Sequence, residues 1–335
     1  MVQVRGSVAE LQQFMTASLL PTNSNSLELS GPNKTQPDSI QLLYNLAKLE
    51  EINTSSIHAD IVADLSIPID CVVYEPARNQ PRMVAKYTPG GREKRFVGVE
   101  WKTYHRELSR NASGQLELDI SPTALQQSAQ LANLLASPKS EDFCAPHCSG
   151  YVLEKDNQER TSRLGWDFQM PDSTDDASAP LSLHWLFTRV PQPPLSDKVT
   201  IASKLATSLM YLHSVKWLHK AIRSDNIVFY WDGTRTNLEQ PILAGFEYAH
   251  HDAHDISERS DPNPVWDIYR WPSIQDEAPT TVHSQKIFNI YSLGIVLMEI
   301  LFWKPLDTLL ELPDLSTVTL FRSKEIRDDL IWMLE

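Results

Sequence analysis

Glycine is scarce in this chain, and basic residues are fewer than acidic ones. The 335 residues include 11 glycines against 22 prolines, and Lys and Arg total 30 against 43 Asp and Glu. Loops that cradle phosphate use glycine, because backbone N–H groups must approach the ligand closely, whereas proline has no N–H to donate. The formal charge of −13 disfavours a nucleic-acid binder or a protein of anionic membranes, since both need clustered Lys and Arg.

Long apolar runs are missing too, and cysteines are few. No run reaches the roughly 20 residues that span a bilayer, and the N-terminal sequence MVQVRGSVAELQQF lacks the apolar core of a secretion signal. The three cysteines, Cys71, Cys144 and Cys148, are few for this length, which fits a reducing, intracellular setting. With 41% hydrophobic residues, we expect a folded cytoplasmic protein of one large or two ordinary domains.

Patterns along the chain predict an α+β fold in three parts. The first part has two helical patterns around a polar, disordered stretch and is predicted to be a helical N-terminal extension. The second alternates like strands on both sides of a helix that begins at Ser121-Pro122. The third follows a polar, acidic linker and carries two strong helical patterns. The three parts are residues 1–62, 63–175 and 176–335.

Three strings in the third part carry the most information. They are YLHSVKWLHKAIRSDNIVFY at residues 211–230, LAGFEY at 243–248 and NIYSLGIVLMEI at 289–300. In this order, they resemble the catalytic loop, the metal-binding loop and the buried central helix of the protein kinase fold. The second part is consistent with this resemblance, because its strand–strand–helix–strand–strand order matches the small lobe of a kinase.

The chain is most similar to fungal kinase-like proteins that are found beside HET-s-like (prion-inhibition and propagation) or cell-death domains. The features shared with that group are VEWK at 99–102, HKAIRSDN at 219–226, GFEY at 245–248 and YRWP at 269–272. The resemblance covers about residues 70–335. It implies a two-lobed kinase-like fold whose C-terminal lobe is shortened, since about thirty residues follow Pro305.

The residues that carry kinase chemistry are replaced. Ala221 occupies the position of the catalytic Asp, and a methyl group cannot accept the proton of a hydroxyl. Gly245 occupies the position of the metal-binding Asp, although Mg²⁺ prefers carboxylate and phosphate oxygens. The segment VYEPARNQPRMV, where the resemblance places the phosphate-covering loop, contains no glycine. These replacements favour binding over phosphoryl transfer.

Other positions retain residues that would face a nucleotide. Lys102 falls where the kinase Lys grips the phosphates, Asn226 is the metal-binding Asn, and Glu247 would return a carboxylate two residues from Gly245. Glu100 replaces the Ala that packs against adenine, so it disfavours an apolar base pocket and is expected to pair with Lys102. In place of the Glu that normally pairs with this Lys, the predicted helix offers Gln126, Gln127 and Gln130.

Four further positions match residues that brace the kinase frame. They are His219, Phe246, Pro272 and Asn289. His219 and Asn226 would brace the catalytic loop by hydrogen bonds, and Phe246 would pack beneath the predicted helix. Asn289 replaces an Asp and would accept a hydrogen bond from the loop backbone more weakly.

Two clusters of potential metal ligands have simpler explanations. The string Cys144-Ala-Pro-His147-Cys148 lacks the second ligand pair that a zinc site needs, which favours a strand with buried cysteines. The string AHHDAHD at 249–255 is expected to be a solvated loop. The sequence therefore predicts no metal site.

The sequence favours a catalytically impaired kinase-like domain that acts as a protein-binding or regulatory signalling module. A protein partner is predicted, with no resident cofactor. Two alternatives stay open. One is an atypical ATP-dependent Ser/Thr kinase that uses Lys102, Asn226 and Glu247 with ATP and Mg²⁺; the other is an inactive switch that binds a nucleotide.

Overall fold

The computed structural model describes residues 65–74, 82–88, 95–110, 116–137, 139–156, 161–170, 180–230, 236–251, 264–271, 274 and 285–311. All of them belong to one of the two units into which the chain divides, residues 43–335. The predicted N-terminal extension and Pro272 lie outside the described residues, and the boundaries predicted at 62/63 and 175/176 stay predictions. The chain is a mixed α+β protein, as predicted, with a curled six-stranded sheet and few helices.

The six-stranded sheet holds one apolar core. Its strands are β1 (Ser66–Ile67), β2 (Val72–Tyr74), β3 (Arg82–Tyr87), β4 (Arg95–His105), β7 (Cys148–Asp156) and β8 (Thr161–Gln169). They follow the order β1-β7-β8-β4-β3-β2 and are antiparallel except for β1 beside β7. Alternate residues of β3 and β4, including Met83, Ala85, Val97 and Val99, are buried together, as the period of two predicted. A separate hairpin of β5 (Glu107–Arg110) and β6 (Leu116–Asp119), not predicted, follows β4.

Helix α1 (Pro122–Ala136) lies between the two halves of the sheet in sequence and packs on β7. It begins where the sequence predicts, because the Ser121 hydroxyl accepts a hydrogen bond from Ala124 N at 3.1 Å and Pro122 takes the first helical position. Its apolar face, which includes Leu131, Leu134 and Leu135, is buried.

The remaining helices lie in the second half of the described chain. They are α2 (Leu183–Arg189), α3 (Leu195–Ser214), α4 (Pro264–Asp267), α5 (Lys286–Phe302) and α6 (Leu306–Leu309). Helix α3 packs against α5, the apolar helix predicted from NIYSLGIVLMEI. Within the described ranges, none of the helices combines the length and hydrophobicity needed to cross a bilayer.

Short strand pairs hold two loops side by side. Strand β10 (Trp217–Leu218) pairs with β13 (His250–His251), and β11 (Ile227–Phe229) pairs with both β12 (Ile242–Leu243) and β9 (Leu181–Ser182). The 219–226 loop joins β10 to β11, and the 244–249 loop joins β12 to β13. Because the flanking strands pair crosswise, the HKAIRSDN and GFEY segments are brought together.

Candidate functional site

An arginine and a glutamate of the large sheet meet the two loops. Arg82 of β3 lies directly opposite Glu100 of β4 in the antiparallel register. Directly opposed residues share one face of a sheet, and Arg82 Nε lies 3.0 Å from Glu100 Oε1. Glu100 is only 2% exposed. The Arg82 side chain is 25% exposed, so the ion pair is partly buried; it is called the Arg82–Glu100 clamp below.

Glu100 holds the backbone of the 244–249 loop. Gly245 N donates to Glu100 Oε1 at 2.8 Å, and Phe246 N donates to Oε2 at 3.0 Å. A buried carboxylate is costly unless hydrogen bonds and an opposite charge compensate for its lost hydration. With two backbone donors and the guanidinium of Arg82, Glu100 meets both conditions.

Arg82 extends the clamp to the 219–226 loop. Its Nη1 donates to Asp225 O at 3.2 Å, and its Nη2 donates to Asn226 Oδ1 at 2.9 Å. The amide nitrogen of Asn226 donates to Ala221 O at 2.8 Å. Both ends of the Asn226 side chain are therefore engaged within the protein, and the oxygen that would bind a metal in the atypical-kinase alternative faces a guanidinium.

The residues predicted to brace the 219–226 loop lie at its buried side. The His219 ring is 4.6 Å from the Phe246 ring in an edge-to-face arrangement. Burial, reinforced by the charge of Arg223, lowers the pKa of His219 to about 3, so the imidazole is neutral at pH 7. Asn289 of α5 accepts a hydrogen bond from Lys220 N at 3.1 Å, the contact expected of this position.

Lys102 does not make its predicted ion pair with Glu100, because the register of the sheet gives that carboxylate to Arg82. The ammonium of Lys102 lies over two aromatic rings instead, 4.8 Å from the centroid of Tyr104 and 5.2 Å from that of Tyr248. Such contacts stabilise a cation by about 0.5–2 kcal/mol. The cation predicted to hold phosphates is thus placed against tyrosine rings.

The pocket beside Lys102 is small. Gln127 and Glu247 line it, whereas the neighbouring Gln126 is exposed and Gln130 is buried. Its cavity volume of about 20 Å³ is enough for one water molecule, so this pocket beside Lys102 does not hold a nucleotide.

Glu247 is an unreliable metal ligand at neutral pH. Its side chain is buried, and burial together with the charge of Glu100 raises its pKa to about 7, against the opposing attraction of Arg223. Near pH 7 the carboxyl is therefore divided between its two forms. Mg²⁺ needs the ionised form.

The site also includes a buried acid that the sequence analysis missed. Glu299 of α5 accepts hydrogen bonds from Tyr269 OH at 2.9 Å and from Leu306 N at 2.8 Å. The Tyr269 hydroxyl lies 3.1 Å from Ser224 Oγ in the 219–226 loop. Glu299 thereby ties the YRWP segment and the loop to α5. The available sign was a lone acid within the apolar string NIYSLGIVLMEI.

Glu299 should make the stability of the protein depend on pH. Burial raises the pKa of Glu299 from 4.5 to about 8, so between these pH values the folded state keeps a proton that the unfolded state releases. The free energy of unfolding therefore falls as the pH rises from 4.5 to 8. Glu299→Gln imitates the protonated acid. Between pH 6 and 8, the variant should gain about 2 kcal/mol relative to the wild type in urea unfolding. A difference that stays constant with pH would contradict this assignment.

The cysteine cluster is not built as a metal site. Cys148 Sγ donates to Gly150 O at 3.2 Å, and Cys144 Sγ donates to Asp142 O at 3.5 Å. Burial raises the pKa of both thiols to about 12, so neither is a thiolate at neutral pH. Among the described residues, no group of three or more His, Cys, Asp or Glu is arranged to hold a metal. Of the AHHDAHD string, residues 249–251 are described, and His250 and His251 form β13.

Comparison with known proteins gives one family match. No curated protein matches the chain. The family described as Domain of unknown function (DUF7580) matches residues 109–322, well over half of the sequence. The matched region includes both loops and Glu299, whereas Arg82, Glu100 and Lys102 lie before it. The chain belongs to the DUF7580 family.

Proposed function

We propose that the protein is a catalytically inactive, kinase-like domain that acts as a cytoplasmic protein-binding or regulatory module. The observation that carries this proposal is the Arg82–Glu100 clamp. Two groups that would face a nucleotide and its metal in a kinase are engaged by the clamp. Asn226 Oδ1 accepts a hydrogen bond from Arg82, and the backbone N–H of Gly245 donates to Glu100.

The arrangement of elements supports a two-lobed, kinase-like fold. Strands β2, β3 and β4 precede α1, and β7 and β8 follow it, which is the order that the resemblance implies. The 219–226 and 244–249 loops, likened to the catalytic and metal-binding loops, follow β4 in the sequence and lie side by side. Glu100 of β4 is hydrogen-bonded to the 244–249 loop. The fold relationship and the inactive state are thus parts of one proposal.

The clamp opposes phosphoryl transfer for an electrostatic reason. Kinases neutralise the charge of the transferred phosphate with Mg²⁺, which is held by the catalytic-loop Asn and by the carboxylate of an Asp in the metal-binding loop. Here Arg82 supplies a positive charge at Asn226, and a metal ion would have to displace it against like-charge repulsion. Even after displacement, Ala221 offers no base and Gly245 no metal ligand.

The chemistry of the clamp explains why a binding role is favoured over a nucleotide switch. Arg82 is covalently part of the chain, so the charge at Asn226 does not depend on the concentration of any cofactor. The arrangement is complete without a ligand, which suits a scaffold whose surface shape must be constant. The expected ligand is therefore a protein.

The proposal predicts that nucleotides leave the stability of the protein unchanged. Urea unfolding in ATP, with and without Mg²⁺, should give the same free energy as unfolding without nucleotide. A ligand at a hundred times its dissociation constant would add about 2.7 kcal/mol.

The same measurements separate the alternatives. Stabilisation by ATP without phosphate transfer would identify an inactive nucleotide switch. Transfer of labelled γ-phosphate to a protein acceptor, abolished by Lys102→Ala, would identify an active kinase and refute the proposal.

A further inference from the structure

Arg223, in the 219–226 loop, is a buried arginine whose guanidinium has no hydrogen-bond acceptor among the described residues. The residue is 6% exposed, and its Nε is buried without a partner. The guanidinium carbon lies 4.3 Å from the centroid of the Trp266 ring. Burial lowers the pKa of Arg223, yet an arginine stays charged at neutral pH. A buried donor without an acceptor is unfavourable, so Nε of Arg223 is suited to one further oxygen acceptor.

Arg163 shows how another stacked arginine of this protein is completed. Its guanidinium carbon lies 4.4 Å from the centroid of Trp101, which is nearly the same stacking geometry. Arg163 Nη1 also donates to Glu154 Oε2 at 3.4 Å. Arg163 thus has a carboxylate oxygen as an acceptor, whereas Nε of Arg223 has no partner among the described residues.

The groups around Arg223 form a pocket with a cationic lining. Lys220 and Arg270 line it with Arg223, and the Trp266 ring forms a wall. Ala221 contributes a methyl group at the position where the kinase resemblance would place a carboxylate. The cavity volume of about 10 Å³ admits roughly one oxygen atom. A larger anion would insert one oxygen and keep its remaining atoms at the mouth.

The described acids near Arg223 do not fill this position. Glu247 and Asp225 attract the guanidinium and oppose the lowering of its pKa, yet Nε of Arg223 has no hydrogen-bond partner in the described part of the chain. Asp267 is bonded to Arg270. The Nε donor of Arg223 thus stays available to one more oxygen acceptor.

We propose that this pocket binds an oxyanion carried by a partner protein, either the carboxylate of an acidic side chain or the phosphate of a phosphorylated one. This inference rests on the proposed protein-binding function and names the chemistry of the partner. The planar guanidinium of Arg223 presents N–H donors that match carboxylate and phosphate oxygens. None of the lining residues belongs to the Arg82–Glu100 clamp, so an oxyanion binds without opening it.

The test uses the full chain and three short peptides that differ only in a central phosphoserine, aspartate or serine. Fluorescence anisotropy measures their affinities for the wild type, Arg223→Gln and the matched control Arg163→Gln. The serine peptide should bind at least about tenfold more weakly than the better oxyanion peptide, and Arg223→Gln should lose the same factor. Arg163→Gln should bind like the wild type. A preference for phosphoserine identifies a phosphorylated partner, and a preference for aspartate an acidic one.

Two further measurements keep the proposal refutable. Arg223→Lys keeps the charge but not the fork of donors, so it should bind with intermediate affinity if Arg223→Gln proves unstable. Inorganic phosphate should raise the unfolding temperature of the wild type and Arg163→Gln more than that of Arg223→Gln, relative to chloride at equal ionic strength. Equal rises in all three would be a general salt effect and would overturn the proposal, as would equal affinity for the three peptides.

The outcome is independent of the test for nucleotides. No nucleotide is present in these titrations, so a negative result leaves the inactive kinase-like assignment intact. Conversely, ATP turnover in the earlier experiment would refute that assignment without altering the measured affinities for the oxyanion peptides.

Discussion

Replacing Glu100 with alanine is expected to lower the free energy of unfolding by about 2–5 kcal/mol, because the change leaves two buried backbone N–H groups and the partly buried Arg82 without this acceptor. The carboxylate accepts hydrogen bonds from Arg82 Nε and from the backbone nitrogens of Gly245 and Phe246. Both loop residues are buried, so their N–H groups would lose an acceptor that water cannot readily replace. Urea unfolding followed by circular dichroism measures the loss.

Two variants separate the clamp from charge loss in general. Lys155→Ala removes the exposed ion pair between Lys155 of β7 in the large sheet and Asp119 of β6 in the separate hairpin. It should cost no more than about 1 kcal/mol. Glu100→Gln keeps an oxygen acceptor for one backbone N–H and should fall between the two. A Glu100→Ala protein as stable as Lys155→Ala would show that the clamp contributes little to the folded state.

The clamp also connects stability to the proposed loss of catalysis. In a kinase, the carboxylates of this region hold a metal that arrives with the nucleotide. Here the carboxylate of Glu100 and the guanidinium of Arg82 hold the same two loops without a ligand. In the proposed kinase-like assignment, groups that a kinase keeps available for substrates would here hold the structure together. Opening the clamp by mutation should therefore reduce stability without creating phosphoryl transfer.

Local patterns predicted the elements that depend on local physics. The start of α1 followed from Ser121-Pro122, since a cap and a proline act within one turn. The faces of β3 and β4 followed from alternation, since successive strand residues point to opposite sides. The two-lobed kinase relationship goes beyond these local signals and stays a prediction.

The clamp could not be predicted in the same way, because it depends on strand register. Glu100 and Lys102 are two residues apart on one strand, so alternation placed them on one face and suggested that they pair. The partner is instead Arg82, which the register of β3 against β4 places directly opposite Glu100. Register is fixed by the packing of the whole sheet, which the spacing within one strand does not reveal.

The buried surroundings of two charged residues in the second half could not be predicted, for a related reason. Arg223 and Glu299 are surrounded by residues distant in sequence, such as Trp266 and Tyr269. A charged residue within an apolar pattern indicates an exception, but its partner becomes known only when the helices and loops are packed. Their importance is therefore a property of the tertiary structure.

Gly245 occupies the position that the proposed kinase resemblance assigns to a metal-binding Asp, and the structure leaves no room for a side chain there. Its φ of 86° is in the left-handed region, which costs an L-residue roughly 1–2 kcal/mol. A Cβ atom would clash with Nδ2 of Asn226 and lie 2.5 Å from its Cγ. Asn226 cannot easily move away, because Arg82 and the Ala221 carbonyl hold its two ends.

Gly245→Ala should therefore lower the free energy of unfolding by about 2 kcal/mol or more, since backbone strain and the steric clash add together. Gly245→Asp should cost still more, because it adds a carboxylate beside the buried Glu100. The matched control is Gly294→Ala, on the exposed face of α5, where a Cβ meets nothing within 4 Å and should stabilise the helix by up to about 1 kcal/mol. Urea unfolding of the three variants tests this ranking. If Gly245→Asp were as stable as the wild type, the site would still tolerate the metal-binding acid, and the absence of that acid would have no structural basis.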